Sequence, residues 1–128
     1  MTVREKMLSI IEQYCEMHGI KRETLFESGN HKGAKKRRNI NGVPVATLRM
    51  ALAYYLSNNF PISLTDVAHL VGYADHSTIS SNNKKIYFYI KNQDKYFLYF
   101  WNPLVEIGKL YEPVKFQRIS RLNYEIVK

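Results

Sequence analysis

Apolar residues recur three and four positions apart along most of the chain, which is the spacing of one buried face on an α-helix. The pattern predicts an amphipathic helix over residues 3–18, ended by Gly19. A short helix is expected over 21–27. A longer one runs to about Ser57 from Pro44, which suits a first helical turn. The first half of the chain is therefore expected to be helical.

Two further helices are predicted around a glycine in the middle of the chain. Ser63 is a candidate N-cap for the first helix, and Asp75 is a candidate N-cap for the second. The apolar stripes of the two helices are Leu64, Val67, Ala68 and Val71, and then Ile79, Ile86 and Ile90. Because Gly72 lies in the few residues between them, the pair has the layout of a helix-turn-helix.

The second helix of this pair has an outward face of small polar residues. They are Ser77, Ser80, Ser81 and Lys84. A face without bulky side chains can lie deep in the major groove of DNA. The same pattern also fits an ordinary solvated surface, because helix pairs of this length occur in bundles that bind nothing.

The sequence around the helix pair resembles the C-terminal DNA-binding domain of the bacterial replication initiator DnaA. That family reads Ser-Leu-x-Glu-Ile-Gly and then Gly-x-Arg-Asp-His-Thr-Thr-Val. This chain reads Ser-Leu-Thr-Asp-Val-Ala at 63–68 and Gly-Tyr-Ala-Asp-His-Ser-Thr-Ile at 72–79, with no gap between the halves. An upstream helix aligns in the same way, with the family's Arg on Arg49. The resemblance covers about residues 8–110 and is sharpest from Arg49 to about Ile86.

The resemblance implies an all-α fold of five or six helices. It would be a TrpR-like helix-turn-helix domain over residues 1–111, with a C-terminal helical and aromatic extension. The tail over 112–128 has no counterpart in the family's domain and no clear periodicity, so the sequence assigns it no structure. The implied partner is double-stranded DNA, bound with sequence preference. One departure from the family is Ala74, which replaces an Arg and removes a cation from the turn that would face the groove.

The resemblance also implies roles for single residues. The residues expected to contact DNA from the helices are Arg49, Asp75, His76, Ser77, Thr78, Ser81 and Lys84. Arg49 would enter a minor groove. Asp75, His76 and Ser77 would read base edges, and the carboxylate of Asp75 could accept a hydrogen bond from a cytosine amino group. Thr78 would hold a phosphate group.

Positive charge is concentrated in one part of the chain. The protein has 19 Lys and Arg against 11 Asp and Glu, a formal net charge of +8 and a pI near 9.6. No acidic residue occurs between Ser28 and Thr65. This stretch contains a glycine- and asparagine-rich loop with the basic run Lys35, Lys36, Arg37 and Arg38. A solvated charge run is one interpretation, and a basic arm that binds DNA phosphates is the other.

Aromatic residues accumulate after the helix pair. Eight of them lie between Tyr87 and Trp101. Such residues can stack on single-stranded bases, but Phe97, Phe100 and Trp101 recur at helical spacing, which favours core packing or a face for a protein partner. The pair Asn102-Pro103 is expected to break or restart the helix here, which then resumes to about Tyr111.

Enzymatic chemistry is not indicated. The six glycines form no phosphate-binding loop of the Gly-x-x-x-x-Gly-Lys-Ser type, so the ATPase of a full initiator is not expected. His69 and His76 flank no Ser or Cys in a recognisable nucleophile setting. Cys15 and His18 are spaced as two metal ligands could be, but no second pair follows, so neither a metal nor a cofactor is expected.

The single cysteine and the absence of an apolar run of membrane-spanning length predict a cytoplasmic protein that makes no contact with a membrane. We expect a replication or transcription regulator, or a phage-type accessory factor. Two alternatives come from other classes of function. One is a protein-interaction module that uses the aromatic C-terminal half, and the other is a single-strand or RNA binder.

Overall fold

The computed structural model describes residues 1–34, 39–40 and 42–111. In these ranges six α-helices and one short strand pair follow one another. They are α1 (Val3–Met17), α2 (Arg22–Glu27), β1 (Asn39–Ile40), β2 (Val43–Pro44), α3 (Val45–Asn59), α4 (Leu64–Val71), α5 (Ser77–Lys91) and α6 (Lys95–Lys109). The prediction of an all-α fold with five or six helices is confirmed. The tail over 112–128 lies outside the described residues.

Helix α3 lies at the centre of the fold. Every residue from Ala51 to Ser57 is buried, and the helix packs against α4, α5 and α6. A helix that is apolar on nearly all sides gains most from burial when it is surrounded by other helices. The buried residues of this helix include Val45, Leu48, Leu52, Tyr55 and Leu56.

Helices α1 and α6 pack against each other, and α6 also packs against α3. The hydroxyl of Tyr14 on α1 donates a 2.6 Å hydrogen bond to the carbonyl oxygen of Phe100 on α6. Where α6 meets α3, Gly108 lies so close to Tyr55 that an added Cβ would overlap the tyrosine hydroxyl. The contact between these two helices therefore depends on a glycine.

Two predicted helix ends, at Ser63 and Gly19, agree with the structure, and Gly72 from the predicted turn marks a third helix end. The hydroxyl of Ser63 accepts a 3.1 Å hydrogen bond from the backbone N–H of Asp66, so Ser63 is the N-cap of α4. Gly72 ends α4 in the left-handed conformation, with φ of 96°. Gly19 follows the C-cap of α1 with φ of 77°. Both glycines therefore occupy a conformation that other residues adopt only with strain.

Two local predictions were wrong. Helix α6 continues through Pro103 and is not broken there. A proline removes the hydrogen bond to the carbonyl four residues earlier, which belongs to Tyr99. Tyr99 is 71% exposed, so water can bind the freed oxygen. The predicted loop before α3 contains the antiparallel pair β1–β2, with Gly42 at φ of 79° inside its turn. Pro44 is the N-cap of α3 and lies just outside its first turn.

The aromatic segment divides between the interior and the surface. Phe97 and Phe100 are buried, as core packing requires. Trp101 is only partly buried, and its ring contacts those of Tyr54 and Phe97 at centroid distances of 5.6 and 5.9 Å. Tyr96, in the same segment, is 62% exposed. The core interpretation therefore holds for part of this segment only.

Candidate nucleic-acid interface

The polar residues predicted to form the outward face of α5 do face solvent. Its residues Ser77, Ser80, Ser81 and Lys84 are all exposed, and they fall on one stripe of the helix. On the opposite side Ile79 and Ile86 are buried against the core. Their burial fixes the rotation of α5 about its axis. The small polar stripe is therefore held on the solvent side of the domain.

Asp75 organises the first turn of α5. One carboxylate oxygen accepts hydrogen bonds from both the backbone N–H, at 2.9 Å, and the hydroxyl of Ser77. These two bonds hold the pKa of Asp75 below its usual value. The helix begins at Ser77 with His76 in the N-cap position, but the capping hydrogen bond comes from Asp75. The predicted N-cap was therefore wrong by one residue, because His76 occupies that position, although the Asp75 carboxylate accepts the hydrogen bond from the first N–H of the helix.

His76 and Thr78 lie on either side of Ser77 at this helix start. His76 is exposed and has helical dihedral angles, and its carbonyl accepts the 3.1 Å bond from the N–H of Ser80. Thr78 is partly buried. The side chains of Asp75, His76 and Ser77 are therefore accessible from solvent, and Thr78 lies at the edge of the surface that they form.

Arg49 was expected in a minor groove, and the structure corrects this. Its side chain lies in the interior and the residue is only 4% exposed. Nε donates a 2.8 Å hydrogen bond to the carbonyl oxygen of Val71, and Nη2 donates to the carbonyl oxygen of Leu25 and, at 2.7 Å, to the hydroxyl of Ser28. A guanidinium whose donors point at internal oxygens cannot also insert into DNA.

The acceptors of Arg49 show what this side chain does instead. Val71 ends α4, while Leu25 and Ser28 lie at the end of α2, so a residue of α3 joins the ends of two other helices. Carbonyls at helix C-terminal ends lack intrahelical partners and carry partial negative charge, which suits a buried cation. Burial lowers the pKa of Arg49, and no carboxylate is among its hydrogen-bond partners.

Tyr73 connects this network to α5. The guanidinium carbon of Arg49 lies 5.9 Å from the centroid of the Tyr73 ring, within the range of a cation–π interaction. Burial raises the pKa of Tyr73 to about 12, and the Arg49 guanidinium and the Asn82 side chain on α5 partly offset this rise. The turn between α4 and α5 is therefore held from the inside, through Arg49.

Charge near the polar stripe is one-sided. Between His76 and Gln93 there is no acidic residue, while Lys84, Lys85 and Lys91 lie on α5 and are exposed. The predicted arm residues Lys35, Lys36, Arg37 and Arg38 lie outside the described residues. Within the ranges that the structure describes, the surface of α5 beyond its first turn is thus cationic or neutral.

Sequence reasoning missed two residues at this surface. Phe88 is 62% exposed and falls on the same stripe of α5 as Ser77, Ser81 and Lys84; the spacing of four after Lys84 could have revealed it. Asn30 accepts a 2.7 Å hydrogen bond from the backbone N–H of Ala74 through its side-chain oxygen. No local pattern could have indicated Asn30, because its partner is 44 residues away.

The described residues contain no cluster of three or more His, Cys, Asp or Glu side chains that could hold a metal ion. Of the two residues that the spacing had singled out, His18 lies beside the rings of Tyr14 and Phe100 at the α1–α6 contact, and Cys15 is buried. Burial raises the pKa of Cys15 to about 12 and lowers the pKa of His18. The buried thiol therefore stays protonated, which disfavours it as a ligand.

Comparison of the chain with protein-family models, with curated proteins and with solved structures finds no match. The likeness of residues 49–86 to the initiator domain therefore stays a prediction from the sequence. None of the helices in the described part of the chain combines the length and the apolar character that a membrane span needs.

Proposed function

We propose that this protein binds double-stranded DNA with sequence preference, using the first half of α5 as its recognition helix. The observation that carries the proposal is the exposed stripe of small polar residues on α5, which begins at a turn fixed by Arg49 and Tyr73. Direct reading of bases requires side chains that reach the groove floor and a helix whose orientation is fixed.

The first turn of α5 would supply the base contacts. Asp75 uses one oxygen for Ser77 and can offer the other to a cytosine amino group. His76 is exposed beside it and can donate to, or accept from, a base edge. The hydroxyl of Ser77 donates to Asp75, which leaves its lone pairs for a donor on DNA.

Further along α5, other contacts would position the protein. Lys84 and the Thr78 side chain at the edge of the surface would bind phosphate oxygens. Phe88, at the far end of the stripe, offers an apolar surface of the kind that thymine methyl groups contact. The basic arm at 35–38 would add phosphate contacts without sequence information.

The 128 residues contain no nucleotide-binding loop, so the activity proposed for them is DNA binding alone, as in a regulator or an accessory factor. The chain would occupy sites on duplex DNA. Ala74, in place of the family's Arg, removes one positive charge from the turn. We therefore expect either that other residues make up the lost affinity or that the preferred DNA sequence differs from that of the initiator family.

The test begins with selection of bound duplexes from a random library by the full chain. His76→Ala should then lose about 1–3 kcal/mol on the selected duplex and little on a scrambled duplex of the same length, since one base contact is removed and the electrostatic attraction stays. The matched control is His69→Ala. His69 is also an exposed histidine, but it lines a cleft with Arg4 and Arg22 on the α1–α2 side of α4.

Replacing Lys35, Lys36, Arg37 and Arg38 by Ala together should weaken binding to both duplexes alike. It should also reduce the salt slope by up to about 0.9 for each lost phosphate contact. Competition with single-stranded DNA and with RNA tests the alternative functions. Equal loss on both duplexes for His76→Ala, or stronger binding to single strands than to the selected duplex, would contradict the proposal.

A further inference from the structure

The segment that follows α2 makes direct backbone contact with the turn between α4 and α5. An added Cβ on Gly29 would overlap the carbonyl oxygen of Gly72, and one on Gly72 would lie 2.6 Å from the carbonyl oxygen of Phe26. Distances below 3.0 Å do not occur for real Cβ atoms. The two segments can therefore approach this closely only because both positions are glycine.

Asn30 closes this contact with two hydrogen bonds. Its backbone N–H donates to the carbonyl oxygen of Gly72 at 3.0 Å, and its side-chain oxygen Oδ1 accepts from the backbone N–H of Ala74 at 2.7 Å. The two bonds lie on either side of Tyr73 in the turn. One residue of the segment between α2 and β1 thus pairs two backbone groups of the turn, the carbonyl oxygen of Gly72 and the N–H of Ala74.

The residues next to these bonds are those of the proposed DNA-binding surface. Ala74 leads directly into Asp75 and His76. In the segment after α2, Asn30 is followed by His31 and the exposed Lys32. The ring of His31 stacks on Phe26 at 4.5 Å, and its nitrogens lie 2.9 Å from the carbonyl oxygen of Phe26 and 3.0 Å from that of Lys32. The backbone at Lys32 is therefore held beside the turn.

We infer that Asn30 is a positioning residue of the proposed DNA interface, which fixes the turn Ala74–His76 that carries the proposed base-reading side chains. The inference rests on the proposed function. A turn with its N–H and C=O groups paired presents Asp75 and His76 in one geometry, so the ordering of these side chains is complete before DNA arrives. Without the Asn30 side chain, the N–H of Ala74 turns to water and the turn gains freedom.

The experiment compares Asn30→Ala and Asn30→Asp with the control Asn92→Ala. Asn92 is also exposed and also bonds a backbone group through its side chain, the carbonyl of Phe88 at 2.9 Å, but it lies at the other end of α5. Asp keeps an acceptor oxygen for Ala74. Its added negative charge affects all duplexes alike, so the ratio of affinities for the selected and the scrambled duplex cancels it.

Two readouts are measured on the full chain. Asn30→Ala should raise the amide hydrogen-exchange rate of Ala74 by about tenfold and lower the ratio of selected to scrambled affinity by about five- to tenfold. Asn30→Asp should restore both values towards those of the wild type. Asn92→Ala should change neither.

Each contrary result has a distinct meaning. An unchanged exchange rate at Ala74 would show that Asn30 does not hold the turn. A raised exchange rate with an unchanged affinity ratio would make Asn30 a structural residue only and overturn the inference. Failure of the wild-type protein to bind any duplex would refute the proposed function, and the interface role of Asn30 with it. The exchange rate would then still report whether Asn30 holds the turn.

Discussion

Arg49 was predicted from the sequence to lie on the surface, but in the structure its side chain is buried. On a helical wheel it is a cation among small and apolar neighbours, which fits a surface that approaches DNA. Its hydrogen-bond acceptors are 21 to 24 residues away in the chain, at the ends of α2 and α4. Burial of a cation is favourable only where such oxygens converge, and their convergence is a property of the fold.

Arg49→Ala should lower the free energy of unfolding by about 2–4 kcal/mol, because the buried carbonyl of Val71 loses its side-chain donor and the carbonyl of Leu25 keeps only the Ser28 hydroxyl. Arg49→Lys should recover only part of this loss, since an ammonium cannot reproduce the planar fork. Urea denaturation followed by circular dichroism gives the values. The control Arg4→Ala removes an exposed arginine and should stay within about 0.5 kcal/mol of wild type.

A different outcome would return Arg49 to the interface. If Arg49→Ala kept the wild-type unfolding midpoint but lost duplex affinity, the guanidinium would have to leave the interior in the bound state. We expect instead that Arg49→Ala lowers the unfolding midpoint, and that any loss of duplex affinity is a consequence of the loosened turn.

Two glycines with the same left-handed backbone separate strain from close packing. Gly19 has φ of 77° and nothing near an added Cβ, whereas Gly72 has φ of 96° and the backbone of Phe26 in the way. Gly19→Ala should cost about 1–2 kcal/mol from strain alone. Gly72→Ala should cost at least about 1 kcal/mol more, because the α2 segment must move. Equal losses in thermal or urea unfolding would contradict the direct contact between Gly72 and Phe26.

At the scale of single elements, the start of α5 depends on the ionisation of Asp75. Hydrogen bonds from Ser77 lower the pKa of Asp75. Ionised Asp75 therefore stabilises the folded protein above the pKa of an ordinary Asp side chain, and this stabilisation is lost as the pH falls through the lowered value. Ser77→Ala removes one of the two bonds and should move the pKa of Asp75 back towards its usual value.

The carboxyl carbon resonance of Asp75, titrated by NMR, measures this change. Glu5 provides an internal control in the same spectrum, because a backbone hydrogen bond from Thr2 also lowers its pKa and α1 lies elsewhere in the chain. Its titration should be the same in both proteins. A midpoint for Asp75 that Ser77→Ala leaves unchanged would show that Ser77 does not organise the helix start.

Elements with regular patterns were predictable from the sequence, and those that depend on distant partners were not. The stripe of α4 and the caps at Ser63 and Gly72 are local signals, so their positions agree with the structure. The continuous helix through Pro103 was missed because propensity alone forbids it, whereas packing on α1 and α3 holds both halves in line. The β1–β2 pair is too short for any alternation to show.

The candidate site was predictable to a similar extent. The exposed face of α5 follows from one helical stripe and was correct. The supports of the turn, Arg49 and Asn30, bond to groups 22 and 44 residues away, and no periodicity encodes such distances. The sequence therefore predicted the exposed face of α5 but not the contacts that hold the preceding turn in place.

At the scale of the whole molecule, the centre of stability and the proposed binding surface are separate. The central helix α3 is buried along most of its length, whereas the polar stripe of α5 faces solvent. A change in the core should therefore alter stability without changing which DNA is preferred. Leu52 on α3, which is 0% exposed, and the stripe of α5 offer a direct way to separate the two properties.

Leu52→Ala should lower the free energy of unfolding by about 2–5 kcal/mol, because it leaves a cavity among α3 and its neighbours. A ligand that binds only the folded state adds RT ln(1 + [L]/Kd), about 2.7 kcal/mol at 100 times Kd. If DNA binds the outer face of α5, the selected duplex should raise the melting temperatures of Leu52→Ala and of wild type by similar amounts. It should raise the melting temperature of His76→Ala, which keeps the core, much less. Differential scanning calorimetry with the selected and the scrambled duplex gives all six values. The separation is wrong if Leu52→Ala abolishes the preference for the selected duplex while the protein remains folded, or if His76→Ala responds to that duplex as fully as wild type does.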